Sequence, residues 1–452
     1  MVTSIPRVVV AAPGSGSGKT TVATGLMAAL SARGLAVSPH KVGPDFIDPS
    51  YHALATGRPG RNLDAYLCGE ALIGPLFLHG ARGADVAIVE GVMGLYDGAT
   101  GHGELASTAQ VAKLLAAPVI LVIDAQAVGR SVAAVLGGFA AYDPAVRIAG
   151  VILNKVGSPT HEAILREALL PLGIPVVGVI GRDDGISMPA RHLGLVPVAE
   201  RRRSAAGSVA AMGAAIARGC DLDALMSIAR SAPALDAQPW EPWEPQESWG
   251  PDEPETSKRP GVQIAVAAGP AFSFAYTEHF EMLTALGAEV RPLDPLVDES
   301  LGGAAGLYLP GGFPEVYAAE LSANELLRKE IGTFDGPIVA ECGGLLYLAS
   351  TLDGAPMCDV IRADAVLGGR LALGYLTAVA ATDSPIVAAG ATVRAHEFHY
   401  STTNPVSGPA AAWQLGERLE GFAGAGLHAS YLHTHWAGTP AAPRRLIAAT
   451  GR

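Results

Sequence analysis

The fold of the N-terminal half is decided by one stretch, Val8-Val9-Val10-Ala11-Ala12-Pro13-Gly14-Ser15-Gly16-Ser17-Gly18-Lys19-Thr20-Thr21. Residues 8–12 predict a buried strand, the glycines and serines predict a turn without bulky side chains, and residues 20–33 predict a helix. This order is typical of a phosphate-binding loop, because backbone N–H groups and the helix N-terminus face the phosphate oxygens. We expect nucleotide binding here rather than a merely flexible turn, although Pro13 stands where the usual spacing has glycine.

Several residues near this loop are candidates for binding Mg²⁺ and phosphate. Lys19 supplies positive charge, and the hydroxyl of Thr20 is a common magnesium ligand. Glu90 ends an apolar run, and Asp45 lies in a carboxylate-bearing loop near the first strand, so both can face the same edge of a parallel sheet. Capping of helices and turns is the competing interpretation for such acids. The magnesium candidates are Thr20, Asp45 and Glu90.

Asn154 and Lys155 follow the apolar run 150–153 and provide an amide and a cation for binding a purine base. A plain exit from strand to turn is the alternative. The full set of ATP-binding candidates is Gly16, Ser17, Gly18, Lys19, Thr20, Thr21, Asn154 and Lys155.

Short apolar runs alternate with helical patterns through the first half of the chain. Helical patterns at 20–33 and 161–172 fall between these runs, and a mainly helical stretch at 204–230 follows. Such alternation predicts an α/β domain with a parallel sheet covered by helices. We therefore expect an ATP-binding domain over residues 1–235. Its predicted strands are 7–12, 85–90, 118–124, 147–154 and 175–180.

The composition changes abruptly at residues 236–260, which are rich in proline and acidic residues and follow neither helical nor strand periodicity. We predict an interdomain linker. Trp240, Trp243 and Trp249 are unusual in a solvated spacer, so a segment held along a domain surface and a disordered segment both stay open. The alternation then resumes, which predicts a second α/β domain over residues 261–452.

Length, charge and cysteine content limit the classes of function. A chain of 452 residues is long enough for two domains, and a net charge of −12 without a basic run argues against a nucleic-acid surface. The apolar run 116–123 is too short to span a membrane, which takes about 20 residues. The four cysteines lie in no metal-binding or disulfide spacing. We expect a cytoplasmic enzyme that acts on small molecules, with a homodimer left open.

A second candidate site surrounds Cys342 in Ala340-Glu341-Cys342-Gly343-Gly344. A strand pattern precedes this cysteine and a helix pattern follows it, so Cys342 lies at a helix N-terminus, where the dipole favours the thiolate and thus a nucleophile. An inert buried thiol is the alternative. A second glycine turn lies at 309–315, and backbone N–H groups of such turns can stabilise an oxyanion. The oxyanion candidates are Gly311, Gly312 and Gly343.

The general base for Cys342 is expected in Tyr431-Leu432-His433-Thr434-His435. We predict His435, with His433 as its competitor. Further polar residues are candidates for substrate binding, although structural roles suit their spacing as well. These are Asp48, Asp97, His396 and His399, with Glu397 between the two histidines.

Several of these segments together resemble the a,c-diamide synthases of cobalamin biosynthesis, which amidate cobyrinic or hydrogenobyrinic acid. The first domain is similar to dethiobiotin synthetase, and the second resembles triad-type glutamine amidotransferases. One departure is that such triads have Glu two residues after the catalytic His, where this chain has Ala437; the resembling family lacks that residue too. The segments are 14–21, Lys41-Val42-Gly43-Pro44-Asp45-Phe46-Ile47-Asp48-Pro49, Val89-Glu90-Gly91-Val92-Met93-Gly94-Leu95-Tyr96-Asp97-Gly98, 309–312, 341–344 and His396-Glu397-Phe398-His399-Tyr400-Ser401.

The resemblance implies a reaction that uses ATP as co-substrate and Mg²⁺ as cofactor. ATP would phosphorylate the a and c carboxylates in turn, Cys342 would release ammonia from glutamine through a thioester, and ammonia would displace phosphate. A synthase for another tetrapyrrole acid would share both sites. An ATPase switch of the ParA/MinD kind would share the first domain and would need no Cys342.

Overall fold

The computed structural model describes residues 4–182, 190–191, 194–195, 197–243 and 261–451. The chain forms two compact units, Met1–Trp240 and Glu241–Arg452. Their boundary falls inside the predicted linker. Residues 244–260, with Trp249, lie outside the described residues.

The first unit contains a parallel seven-stranded sheet in the order β3-β2-β4-β1-β5-β6-β7. The central strand of this order is β1, which leads into the glycine-rich loop. Because the sheet is parallel, the carboxyl ends of the neighbouring strands lie at the same edge as this loop. The five predicted strands are confirmed, whereas β2 and β3 were missed. The strands are β1 (Arg7–Ala11), β2 (Val37–Val42), β3 (Arg61–Leu63), β4 (Val86–Glu90), β5 (Val119–Asp124), β6 (Ile148–Val156) and β7 (Val176–Gly181).

Eight helices are described in the first unit, together with a short antiparallel pair, β8 (Ala190–Arg191) and β9 (Gly194–Leu195). The buried side of α1 and the apolar face of α8 pack against the sheet residues Val8, Val10, Ile88 and Ile120. The helices are α1 (Lys19–Ala32), α2 (Asp48–Thr56), α3 (Ile73–Gly80), α4 (Thr108–Leu114), α5 (Val132–Tyr142), α6 (Pro159–Leu169), α7 (Arg202–Gly219) and α8 (Leu222–Arg230).

The described part of the predicted linker is held by its tryptophans. Trp240 is buried in the first unit, where its backbone N–H donates to the carbonyl of Pro75 at 2.9 Å and its ring packs edge-on against His79. Trp243, in the second unit, lies under the guanidinium of Arg444 at 4.8 Å. Large aromatic area and a cation–π contact offset the entropy cost of ordering this segment. Of the two interpretations, the structure favours the held segment for residues 236–243.

The second unit contains a six-stranded sheet in the order β11-β10-β12-β13-β21-β20, which is parallel except for β20. Its core is apolar and lies under the strand that leads to Cys342. The strands are β10 (Gln263–Ala267), β11 (Glu289–Leu293), β12 (Gly306–Leu309), β13 (Ile338–Glu341), β20 (Phe422–Gly424) and β21 (Leu427–Ser430). The helices are α9 (Thr277–Ala285), α10 (Ala318–Ala323), α11 (Glu325–Gly332), α12 (Gly343–Leu348) and α13 (Ala441–Ala449).

A second sheet in this unit was not predicted. It is built on a long antiparallel pair, β16 (Asp364–Ala380) and β17 (Thr392–Asn404), whose register shifts between Leu367 and Ala372. The pair carries the segment 396–401 to the edge of the first sheet, where His396 and His433 exchange two backbone hydrogen bonds of 3.0 and 2.9 Å. The remaining strands are β14 (Thr351–Leu352), β15 (Ala355–Pro356), β18 (Trp413–Leu415) and β19 (Arg418–Glu420).

Candidate active sites

The glycine-rich loop is closed by the end of strand β6. Gly18 has a φ of 93°, which favours glycine, and a Cβ on it would lie 2.2 Å from Nδ2 of Asn154. That nitrogen donates to the carbonyl of Ser17 at 3.0 Å. Lys155 Nζ bonds Oδ2 of Asp124 at 2.6 Å and the carbonyl of Gly16 at 3.3 Å. The structure thus brings Asn154 and Lys155 to the loop, and their role in binding a base stays a prediction.

The loop lysine is folded back across the turn. Lys19 begins α1, and its Nζ donates to the carbonyls of Met93 and Gly14. Burial lowers the pKa of Lys19, and Lys41 acts in the same direction. The ammonium of Lys19 thus donates to backbone carbonyls, and a phosphate oxygen can replace these acceptors. Thr20 and Thr21 follow in the first turn of the helix.

Oxygen ligands converge next to the loop, at the carboxyl end of β4. The hydroxyl of Thr20 donates to Oε1 of Glu90 at 2.5 Å and lies 3.3 Å from Oδ2 of Asp48. Among the described residues, no cluster of three or more His, Cys, Asp or Glu side chains forms a metal cage. One or two carboxylates with a threonine hydroxyl, open towards phosphate, are the donor set that suits Mg²⁺.

A second lysine, Lys41 at the end of β2, completes this cluster and was not among the predicted site residues. Its Nζ bonds Oδ2 of Asp48 at 2.6 Å, Oε1 of Glu90 at 2.9 Å and the carbonyl of Gly91 at 3.1 Å. Burial by itself lowers the pKa of Lys41, but the two carboxylates outweigh it and raise the pKa above its usual value. The available signal was a lysine near the end of a buried segment, two residues before Gly43-Pro44-Asp45.

Glu90 is held in its charged form by the same neighbours. It is fully buried, and burial favours its neutral form. Lys41 and a hydrogen bond from His52, whose Nε2 lies 2.6 Å from Oε2, outweigh burial and hold the pKa of Glu90 below its usual range. Burial and the nearby carboxylates Asp45 and Glu90 raise the pKa of Asp48. Lys41 therefore contacts both carboxylates, but the pKa of Glu90 is lowered whereas the pKa of Asp48 is raised.

Two predicted site residues, Asp45 and Asp97, make turn-stabilising contacts. Oδ1 of Asp45 accepts the N–H groups of Ile47 at 2.7 Å and Asp48 at 2.9 Å, which fixes the start of α2. Oδ2 of Asp97 accepts the N–H of Gly94 at 2.8 Å. These contacts favour the capping interpretation for both residues. Asp48, by contrast, faces Thr20 directly.

Cys342 lies on a strained turn between β13 and α12. Its backbone has φ 47° and ψ −102°, an unusual conformation for a residue with a side chain. A Cβ on Gly343 would lie 2.8 Å from the backbone nitrogen of Gly312, and a Cβ on Gly344 would lie 2.1 Å from the carbonyl oxygen of Leu309. Glycine is therefore required at both positions. The two glycine turns touch each other, as an oxyanion site built from backbone N–H groups needs.

The thiol of Cys342 is protonated at neutral pH. Burial raises its pKa to about 12, and the backbone N–H of Gly343 opposes this only in part. Burial thus acts against the effect expected of the helix N-terminus, which favours the thiolate. Cys342 requires a base to remove its proton.

His433 lies beside the glycine turn at 309–315. A Cβ on Gly311 would lie 2.6 Å from Cε1 and 3.4 Å from Nε2 of His433. Its Nδ1 lies 3.7 Å from Oε2 of Glu341, the residue before the cysteine. The N–H of Cys342 donates to the carbonyl of Ser430 at 2.7 Å, so the chain leaves β21 towards His433 right beside Cys342.

His435 has different neighbours. Its Nε2 lies 3.7 Å from Oε2 of Glu278, and its ring packs on Tyr276 with 4.3 Å between centroids. Both neighbours lie at the start of α9, and His435 is completely buried. The geometry therefore favours the competitor His433 as the base, and His435 stays a prediction to be tested by substitution.

The segment 396–401 of β17 runs past the cysteine. Sγ of Cys342 lies 4.0 Å from the carbonyl oxygen of Phe398. Burial, together with His433 and His399, lowers the pKa of His396 to about 3. The ring of His399 stacks on Tyr431 at 3.8 Å, and its Nδ1 donates to the carbonyl of Ser401 at 2.8 Å. His396 and His399 thus lie next to the cysteine site in the second unit, where the prediction of substrate contact stays open.

Two family models match separate parts of the chain. A family model described as the CobQ/CobB/MinD/ParA nucleotide binding domain matches residues 8–196, and one described as the CobB/CobQ-like glutamine amidotransferase domain matches residues 263–441. The hydrogenobyrinate a,c-diamide synthase of Streptomyces coelicolor is 59% identical over 98% of this chain and 97% of its own. The chain belongs to the a,c-diamide synthase family. It is thus a glutamine-dependent carbon–nitrogen ligase with the predicted combination of two α/β domains.

Other members differ in the substrate that their names give. The hydrogenobyrinate a,c-diamide synthase of Mycobacterium bovis is 50% identical over 98% of both chains. The cobyrinate a,c-diamide synthase of Gloeobacter violaceus is 44% identical over 97% of this chain and 96% of its own. A solved structure of chloroplast FtsY from Physcomitrella patens covers 50% of this chain at 16% identity and a TM-score of 0.32, which is too distant to bear on the fold. Within the part of the chain that the structure describes, no helix has the length and apolarity to cross a membrane.

Proposed function

We propose that this protein amidates the a and c carboxylates of hydrogenobyrinic acid, using ATP to activate each carboxylate and glutamine as the nitrogen source. The observation that carries the proposal is the presence of both sites in one chain, with 59% identity to a synthase named for that substrate. Cyclic acids of this kind carry several carboxylates, and activation by phosphate makes one of them reactive towards ammonia. An acyl phosphate is the simplest intermediate for this chemistry.

The nucleotide half holds the groups for carboxylate activation. The loop N–H groups and Lys19 would bind the phosphates of ATP, and Asn154 and Lys155 would approach its base. Thr20, Glu90 and Asp48 are suited to hold Mg²⁺, which neutralises phosphate charge when bound. Lys41 contacts both carboxylates and favours the charged form of Glu90, so that this carboxylate stays available as an oxygen ligand.

The amidotransferase half generates ammonia. The sulfur of Cys342 attacks the side-chain carboxamide of glutamine, and a C–S bond forms while the C–N bond breaks. His433 takes the thiol proton and returns it to the departing nitrogen. The N–H groups at the touching glycine turns, Gly312 and Gly343, would stabilise the oxyanion. Water then hydrolyses the thioester to glutamate, and ammonia displaces phosphate from the activated carboxylate.

Two other substrates fit the same arrangement. Cobyrinic acid, which carries cobalt, is the substrate in the name of the relative at 44% identity. Another tetrapyrrole acid would use both sites in the same way. The ATPase switch would leave the strained turn at Cys342 without a function, so we do not favour it. A homodimer and a cytoplasmic location stay predictions.

The test is an amidation assay on metal-free and cobalt-bearing acids side by side, with product mass as the readout. We expect two amidations of the metal-free acid that require both ATP and glutamine. Conversion of the cobalt-bearing acid alone would move the assignment to cobyrinate. Turnover of ATP without amidation of either acid would contradict the proposal.

A further inference from the structure

The residue before the nucleophile has the contacts of a missing triad member. We propose that Glu341 is the positioning carboxylate of the amidotransferase site, where it orients His433 and stabilises its charged form. It would replace the glutamate that ordinary triads carry two residues after the histidine, a position that His435 holds when His433 is the base. The inference rests on the proposed release of ammonia from glutamine at Cys342.

The carboxylate of Glu341 is buried at the end of β13 and faces the segment that carries His433. Oε1 accepts the N–H and the hydroxyl of Thr434, at 3.3 and 3.2 Å. Oε2 accepts the hydroxyl of Tyr308 at 3.2 Å and lies 3.7 Å from Nδ1 of His433. Catalytic hydrogen bonds are often longer before substrate binds, so this distance suits a contact that shortens in the loaded site.

A chain of hydrogen bonds fixes the orientation of this carboxylate. The N–H of Trp436 donates to Nε2 of His279 at 3.1 Å, which leaves Nδ1 as the protonated nitrogen of a neutral ring. That nitrogen lies 3.2 Å from the hydroxyl oxygen of Tyr308, whose own proton is directed to Glu341. Each group donates to the next, so the chain has one consistent direction and ends on the carboxylate.

The pKa shifts of His279 and Tyr308 agree with this direction of hydrogen-bond donation. Burial, with His435 and His433 as further causes, lowers the pKa of His279 well below its usual value, so its ring stays neutral. Burial and Glu341 raise the pKa of Tyr308, so its hydroxyl keeps its proton. The groups that face His433 include Glu341 on β13, with Tyr308 bound to it, His279 on α9 and His396 on β17. Both histidines are neutral, and Glu341 supplies the negative charge at His433.

The placement assigns the two nitrogens of His433 to different tasks. With Nδ1 towards Glu341, the nitrogen left for the thiol proton is Nε2, which lies on the edge of the ring that faces Gly311. When His433 accepts the proton of Cys342, the carboxylate stabilises the resulting imidazolium on its Nδ1 side. The proton then passes to the nitrogen that leaves the glutamine carboxamide, and Glu341 remains a carboxylate throughout.

The test compares Glu341→Gln with Glu278→Gln, the same substitution at the carboxylate beside His435. Glutamine-dependent and ammonium-dependent amidation are measured for each variant across pH. Glu341→Gln should lower glutamine-dependent kcat about tenfold, because it loses one interaction with a charged group, and should leave ammonium-dependent kcat at the wild-type value. Tyr308→Phe, which retains the ring, should lower glutamine-dependent kcat by a smaller factor in the same direction.

The pH profile separates positioning from a structural effect. A general base works in its neutral form, so glutamine-dependent activity falls at low pH, and the position of this acid limb depends on the charge beside the base. Glu341→Gln should move this acid limb of glutamine-dependent activity to lower pH by about one unit. Glu278→Gln should leave the limb in place.

Other results of these measurements would contradict either the inference or the proposed function. An unchanged kcat and an unmoved limb in Glu341→Gln would overturn the inference. A limb that moves only in Glu278→Gln would also overturn it, and would assign the base to His435. Wild-type protein that uses ammonium but not glutamine would instead remove the proposed function on which the inference rests.

Discussion

The two halves of the chain bury their ionisable side chains in opposite ways. In the nucleotide half, Lys41 lies within 2.9 Å of both Asp48 and Glu90, so the site holds fixed charges in direct contact. In the amidotransferase half, the chain from His279 through Tyr308 to Glu341 consists of two neutral groups and one carboxylate. Removing one partner of the Lys41 ion pairs leaves a buried charge without compensation. Removing one group of the chain from His279 to Glu341 costs a hydrogen bond.

The difference follows from what each site has to do. A phosphate site handles charges that are present before and after the reaction, so fixed ions and backbone dipoles serve it. A thiol site moves one proton out and back, so it needs a histidine whose charged form is stabilised only when it appears. The first site should therefore tolerate fewer charge changes than the second.

The largest expected effect separates the halves completely. Cys342→Ala should lower glutamine-dependent amidation by at least about 10⁴-fold, because no other group can form the thioester. Ammonium-dependent amidation should persist, since ammonia attacks the activated carboxylate directly. Product mass with each nitrogen source measures both reactions. Normal use of glutamine by this variant would remove the amidotransferase role of Cys342, and loss of both reactions in folded protein would place the cysteine in the synthase reaction.

The next effect tests the other half. Lys19→Ala should lower amidation about 10³-fold with either nitrogen source, because phosphate stabilisation is lost in both reactions. Release of glutamate from glutamine, followed without ATP or acid substrate, should persist at a low level. Near-normal amidation by this variant would show that the loop does not bind the reacting phosphates.

A smaller effect should separate the two histidines. His433→Ala should lower glutamine-dependent kcat about 10²-fold and spare the ammonium reaction, since a thiol depends less on its base than a hydroxyl does. His435→Ala is the matched variant in the same segment. It should change thermal stability more than glutamine use. If His435→Ala loses glutamine use while His433→Ala retains it, the original expectation of His435 is restored.

The sequence predicted most of what depends on periodicity and turn chemistry. The five apolar strands and the glycine turns were found because buried strands, positive φ at Gly18 and close backbone contacts at Gly343 and Gly344 leave clear patterns in the sequence. Strand β2 was missed because Ser38, His40 and Lys41 interrupt its apolar pattern; Ser38 bonds His40 at 2.9 Å and the carbonyl of Gly80 at 3.0 Å, so these polar groups are satisfied inside the protein. Polar strands of this kind are predictable only when their partners are known.

The site was predicted less completely, for related reasons. The choice between His433 and His435 depends on which side of the chain faces Gly311, and spacing alone carries no such information. The pair β16 and β17, which brings Phe398 to Cys342, has pairings across many residues of sequence and no short-range signal. Lys41 belongs to a quoted segment, but its contacts with Asp48 and Glu90 are long-range in sequence or cross a turn.

The smallest expected effect concerns Asp97, which lies near the charges of the nucleotide site without joining their direct contacts. Its Oδ2 accepts the N–H of Gly94, and a Cβ on Gly94 would lie 2.5 Å from that oxygen, so the turn is tightly closed around the carboxylate. An asparagine oxygen can accept the same hydrogen bond. Asp97→Asn should therefore change kcat by less than about threefold, whereas Asp48→Asn, which disturbs the ion pair with Lys41, should lower it by about tenfold or more. Amidation rates of the two variants, with melting temperatures as the control for folding, decide between capping and substrate binding. A loss in Asp97→Asn that equals the loss in Asp48→Asn, at unchanged stability, would place Asp97 at the substrate and show that a carboxylate can both close a turn and bind the reacting molecule.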